Sequence, residues 1–172
     1  MKTSRPPGEI RRLVSALIPT VTAIIFVLAG VVPAGVPGFS SVTPLLSVAA
    51  VVFWVIARPG LMPPAAVVGI GLFQAVLTGG PIGLWALTLL LVQYLSLSQR
   101  QFLVGQAFVL SWFGFASIVA GAALLSWFAA CIYYDVFLSP ATVFVQAALT
   151  VLVYPVMALI LISLSRWMPV AQ

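Results

Sequence analysis

The sequence has no histidine, one cysteine and only two acidic residues, Glu9 and Asp135. With no histidine, no cysteine cluster and no acid inside an apolar run, neither a metal site nor a proton relay can be assembled. General acid–base catalysis has almost nothing to use, so a non-enzymatic protein without cofactor is expected. Cys131 lacks an intrachain disulfide partner and reads as a small buried hydrophobe in its apolar run. Charged residues make up 5 % of the chain and hydrophobic residues 63 %. No polar face is left to cover a water-soluble globule, which places the chain among integral membrane proteins.

The net charge of +5 comes from seven basic residues, four of them within the first twelve positions. Such a cluster is an orientation signal and not a nucleic-acid footprint. Residues 1–12 read as a partly disordered cytosolic tail, 13–166 as a single transmembrane domain and 167–172 as a second cytosolic tail. Leu13 to Val32 is an uncharged run about 30 Å long as a helix, matching the hydrocarbon thickness, with Pro19 predicting a kink. It lacks a small-x-small cleavage site and reads as an uncleaved anchor. Further spans are expected over Val42–Ala57, Pro64–Leu77, Ile82–Leu97, one long tilted helix within Phe102–Tyr134, and Ala141–Ser165. Six spans put Lys2, Arg5, Arg11, Arg12, Arg58, Arg100 and Arg166 on one side and Asp135 on the other. With basic residues cytosolic, both termini are inside. Arg58, Arg100 and Arg166 read as anchors for lipid headgroups, and Asp135 as a solvated turn residue.

Spans three and four form a hairpin punctuated by Pro63-Pro64 and by Thr78-Gly79-Gly80-Pro81. The glycines here have no lysine after them and no strand before them, so they do not form a phosphate cradle. Gly71, Ala75 and Gly79 recur every fourth residue and make a strip of small side chains, with Gln74 beside it. A strip of this kind lets another backbone approach closely, either inside one bundle or in a partner. Four glutamines in the apolar runs are expected to turn away from lipid, because an unpaired amide in hydrocarbon is costly. By depth, Gln74 and Gln146 belong to an outer layer, and Gln93 and Gln106 to an inner one. Gln93 with Gln106 is the expected pair, one glutamine lining a lipid or partner groove being the alternative.

The run Phe53-Trp54 to Leu87, with Arg58-Pro-Gly60-Leu-Met-Pro63 and the Gly71, Gly79, Gly83 pattern, followed by Arg100-Gln101-Phe102 and Gly105-Gln106, resembles the MreD family of rod shape-determining membrane proteins. The resemblance covers about Pro44 to Arg166. Ala75 stands where family members often carry an aspartate, and Leu45 where another acid is frequent. The resemblance implies an all-α, six-helix transmembrane bundle in the bacterial cytoplasmic membrane. It also implies a non-catalytic elongasome component that binds MreC and supports lateral peptidoglycan synthesis by RodA and its penicillin-binding transpeptidase. The family is similar in architecture to the substrate-binding components of vitamin transporters. A small-molecule or lipid-binding transporter subunit is therefore the alternative reading.

Overall fold

The computed structural model describes residues 7–31, 44–103, 108–137 and 139–166. Among them the chain is all helical, with six α-helices and no strand: α1 (Pro7–Val31), α2 (Leu46–Ala57), α3 (Pro64–Thr78), α4 (Leu84–Leu103), α5 (Phe108–Tyr134) and α6 (Pro140–Arg166). A single 3₁₀ turn, Pro59–Leu61, joins α2 to α3. Two segments, Val109–Tyr134 and Pro140–Ser163, are long and apolar enough to cross a membrane.

The core is organised around α2. Its sequence, LSVAAVVFWVIA, is apolar on every face, and eight of its twelve residues are buried. A helix hydrophobic all round belongs in an interior. It packs against α1, α4 and α6, while α3–α4, α4–α5 and α5–α6 form successive hairpins. At about 1.5 Å per residue α2 is only about 18 Å long, so its end groups fall inside the protein and need partners there. At its start, the Leu45 N–H donates to Thr150 Oγ1 of α6 at 2.9 Å. At its finish, Arg100 Nε of α4 donates to the Ile56 carbonyl at 3.0 Å. Midway, the fully buried Trp54 donates its indole N–H to Thr22 Oγ1 of α1 at 2.8 Å.

The core is mostly apolar but carries a few polar side chains, and large apolar side chains also cover the outside. Thr22, Ser47, Gln74, Thr88, Gln93, Ser96 and Thr150 are buried, whereas Phe113, Phe128 and Ile132 of α5 and Phe144, Leu152 and Leu159 of α6 are exposed. Most of the buried hydroxyls satisfy themselves by donating to a carbonyl one turn back: Thr22 to Ile18, Thr88 to Leu84, Ser96 to Val92 and Thr150 to Gln146. Such bonds need no second helix.

Proline 155 lies inside α6. It has no N–H to offer the carbonyl four residues earlier, which is that of Val151. The indole N–H of Trp112 on α5 fills the gap, donating to the Val151 carbonyl at 3.0 Å. Three residues on, Phe115 stacks on Tyr154 with ring centroids 3.8 Å apart.

Several boundaries differ from the expectations. Helix α1 starts at Pro7, so the last part of the tail is helical; a proline in the first turn costs no hydrogen bond. Helix α2 starts at Leu46 and not Val42, following Pro44, whose carbonyl accepts the Leu46 N–H at 2.9 Å. Helix α4 runs through Ser98–Gln101, where a turn was expected, because that polar stretch has no glycine or proline to stop it. Phe102 and Leu103 therefore belong to α4, and the expected helix within Phe102–Tyr134 begins at Phe108. The expected tail at 167–172 lies outside the described residues.

Candidate functional site

The α3–α4 hairpin is closed by contacts between backbones. A Cβ built on Gly71 lies 2.5 Å from Ala86 Cα and 2.6 Å from Ala86 N, closer than any side chain tolerates. Ala75, one turn along, is also buried, at 1 % exposure. Gly79 has left this face. It ends α3 in the left-handed conformation, φ 65°, with open space where a Cβ would point, and Gly83 follows at φ 100°. The small strip thus joins α3 to α4 at Gly71, and Gly79 serves the turn instead, because a helix that stops at Thr78 needs a residue free to adopt positive φ.

The opposite end of the hairpin docks the Arg58–Pro63 turn. Gln93, 5 % exposed, donates from Nε2 to the Met62 carbonyl at 2.9 Å, next to the bond from Arg100 to Ile56. Gln93 therefore turns inward but pairs with backbone. Gln106, its expected partner, lies outside the described residues. The bond to Met62 meets the donor requirement of a turn carbonyl, since a carbonyl held inside a helical bundle has no water to accept from.

Gln74 and Gln146 come together at the end of the bundle remote from Arg58 and Arg100. Both line a partly open cavity of about 120 Å³, with Phe26, Ser47, Thr78 and Trp85. It is walled by α1, α2, α3, α4 and α6, so five helices must assemble to form it. Leu45 also lines it. Two buried side-chain atoms have no partner among the described residues, Ser47 Oγ and Gln74 Oε1; both residues contribute to the cavity lining, while the two oxygens themselves are buried away from it. Trp85 Nε1, the nearest aromatic donor, is engaged by Thr78 Oγ1 at 3.1 Å.

Sequence reading missed Ser47, Thr150, Trp112 and the Met62 carbonyl. Only the free carbonyl at Val151 was derivable from the chain, by counting back four residues from Pro155. A second cavity, about 300 Å³ between α5 and α6, has wholly apolar walls that include Ala120, Ala123, Trp127 and Phe144, and offers a ligand no hydrogen bond. Among the described residues there is no group of three or more metal-ligating side chains.

The class these features define is an all-helical chain with two helices long and apolar enough to cross a membrane. No family model matches the chain, and no curated protein or solved structure matches it either.

Proposed function

We propose that the chain is a six-span, non-enzymatic component of the bacterial cell-elongation machinery. It sits in the cytoplasmic membrane with both termini inside, binds an MreC-like membrane protein and supports lateral peptidoglycan synthesis alongside RodA and a penicillin-binding transpeptidase. The membrane part of this reading is supported by the large apolar side chains exposed on α5 and α6, since lipid tails solvate exposed Phe and Leu. The orientation is supported by the clustering of Arg58 and Arg100 at one end, where α1 also contacts the Pro59–Leu61 turn, with Asp135 in the turn between α5 and α6. Spans as short as α2 and α3 are accommodated by burial among longer neighbours and local thinning of the bilayer.

One observation carries the assignment to a partner-binding scaffold. The residues of the quoted pattern form a single locked unit: the Arg58–Pro63 turn held by Gln93 and Arg100, and the hairpin after it closed at Gly71 against Ala86. A unit fixed at both ends suits a rigid surface presented to another membrane protein. The transporter alternative requires a pocket of about 300–1,000 Å³ with converging polar groups; the cavity lined by Gln74 and Gln146 is about 120 Å³, and the hollow of about 680 Å³ beside Pro59, Ser98 and Arg100 is an open surface recess at the other end of the bundle. Pull-down of the tagged full chain from detergent-solubilised bacterial membranes decides between the two. Recovery of an MreC-like protein is expected; recovery of a transporter ATPase module in its place overturns the reading.

A further inference from the structure

Asp135 carries the one charge on the α5–α6 hairpin between Arg100 and Arg166, and the fold sets no opposite charge beside it. It follows the last residue of α5, is exposed, and adopts the left-handed conformation at φ 51°, which aspartate tolerates. The last turn of α5 holds no basic residue, and Arg58 and Arg100 meet at the opposite end of the bundle. The carboxylate also adds to the partial negative charge that free carbonyls give a helix C-terminus. This end of α5 therefore attracts a cation. What surrounds the charge is apolar. An open recess of about 390 Å³ is lined by Asp135 with Trp127, Phe128, Ile132 and Phe137, and Trp127 meets Phe137 edge to face with ring centroids 5.7 Å apart. Aromatic rings beside a carboxylate suit an organic ammonium better than a hydrated metal ion.

Trp127 is at the same time a wall of the apolar groove between α5 and α6, which runs from Pro140 at the start of α6 to Ala147, about two turns deeper. These two helices are the ones long and apolar enough to cross a membrane, and Leu124 and Phe144 on the groove are exposed. Walls without a hydrogen-bonding group are complemented by hydrocarbon. A carboxylate among aromatic rings thus adjoins a seat for an acyl chain, through one shared side chain. We propose that the Asp135 end of the α5–α6 hairpin is a binding site for a phospholipid with a primary amine headgroup, of the ethanolamine type. The ammonium pairs with Asp135 and one acyl chain lies in the groove. A primary ammonium brings three N–H donors to the carboxylate. A choline headgroup brings none, and a glycerol headgroup leaves the lipid with a net negative charge beside Asp135.

The test uses the full chain in detergent, titrated with phosphatidylethanolamine, phosphatidylcholine and phosphatidylglycerol of identical acyl chains and followed by native mass spectrometry. Saturable retention of phosphatidylethanolamine is expected, about three- to fivefold stronger than of the other two, in keeping with an ion pair at a wet interface. Asp135→Asn should remove that preference, and it leaves the backbone undisturbed because asparagine adopts the left-handed conformation as readily as aspartate. Ala120→Leu, which fills the groove from an exposed position, should weaken all three lipids alike and keep their ranking. Leu152→Ala, on a residue 66 % exposed and outside both recesses, should bind as wild type. Equal retention of the three lipids by the native chain, a preference that survives Asp135→Asn, or retention indifferent to Ala120→Leu overturns the proposal. An Asp135→Asn variant that keeps its lipid selectivity but loses the MreC-like protein assigns the recess to a basic side chain of a partner instead. The site rests on the membrane reading and not on the cell-elongation role, so lipid selectivity can fail while the MreC-like protein is recovered, and the reverse.

Discussion

Gly71→Ala destabilises the protein while Gly69→Ala, two residues away on the same helix, leaves it as stable or makes it more so. Both substitutions add one methyl to a helical glycine, which by intrinsic propensity alone favours the helix by about 1 kcal/mol. At Gly69 the new Cβ meets nothing within 4 Å, so that gain is kept. At Gly71 it meets Ala86 Cα at 2.5 Å, Ala86 N at 2.6 Å and the Trp85 carbonyl carbon at 2.9 Å. These are backbone atoms with no rotamer to yield, so α3 and α4 must separate. Overpacking of this kind costs about 1–3 kcal/mol, and Gly71→Leu lies at or beyond the upper end. Unfolding of the purified variants in mixed detergent, scored by loss of helicity, measures the difference. A Gly71→Ala variant as stable as Gly69→Ala contradicts the close approach of α3 and α4.

The hairpin was the most legible part of the sequence because prolines and glycines mark its ends. Pro63-Pro64 starts α3 and Thr78-Gly79-Gly80-Pro81 separates α3 from α4, and both act through the local backbone. Where punctuation is absent, boundaries shift. No charge or proline lies between Arg100 and Asp135, so Gly105 was the one residue marking the division between α4 and α5, and a single glycine is a weak stop. The strip of small residues had the right spacing, but spacing alone does not tell a packing glycine from a cap. By spacing Gly71 and Gly79 look alike, and they differ because Gly79 opens the Gly79-Gly80-Pro81 stop, where the helix ends at Thr78. Depth along a helix was readable, which is why Gln74 and Gln146 come to one cavity. The bond from Gln93 to Met62 was not, because its acceptor is a backbone carbonyl presented by a turn, a group that every residue has. Ser47 escaped notice for a similar reason, since serine is usually self-satisfied in a helix and only its place at the start of α2 makes it otherwise.

Trp112→Phe costs about 1–3 kcal/mol in the native sequence and much less in a Pro155→Ala background. With Pro155 present, the Val151 carbonyl has no intrahelical donor, and the Trp112 indole N–H at 3.0 Å replaces it. Phenylalanine keeps an aromatic ring at the site but removes that N–H, so the partly buried carbonyl is left without its protein donor. Alanine at 155 restores a backbone N–H at the position four residues on. The carbonyl is then satisfied within α6, and the indole bond becomes dispensable. The two substitutions therefore couple, and a double-mutant cycle reads the coupling directly, with about 1 kcal/mol or more expected. Additive effects of the two changes contradict the substitution of the indole for the missing backbone donor.

The account as a whole rests on six spans with the basic residues on the inner side, and cysteine accessibility tests that arrangement most directly. In a Cys131→Ala background, single cysteines are placed at Ser4, Ser40, Gln101, Ser139 and Gln172, and intact cells are treated with a membrane-impermeant thiol reagent. The side chain of Gln101 is exposed at the end of α4 beside the Arg100 bond to α2, and Ser139 is exposed in the turn between α5 and α6. Labelling is predicted at Ser40 and Ser139, with protection at Ser4, Gln101 and Gln172 until the membrane is permeabilised. Labelling of Gln101 from outside intact cells contradicts the six-span arrangement.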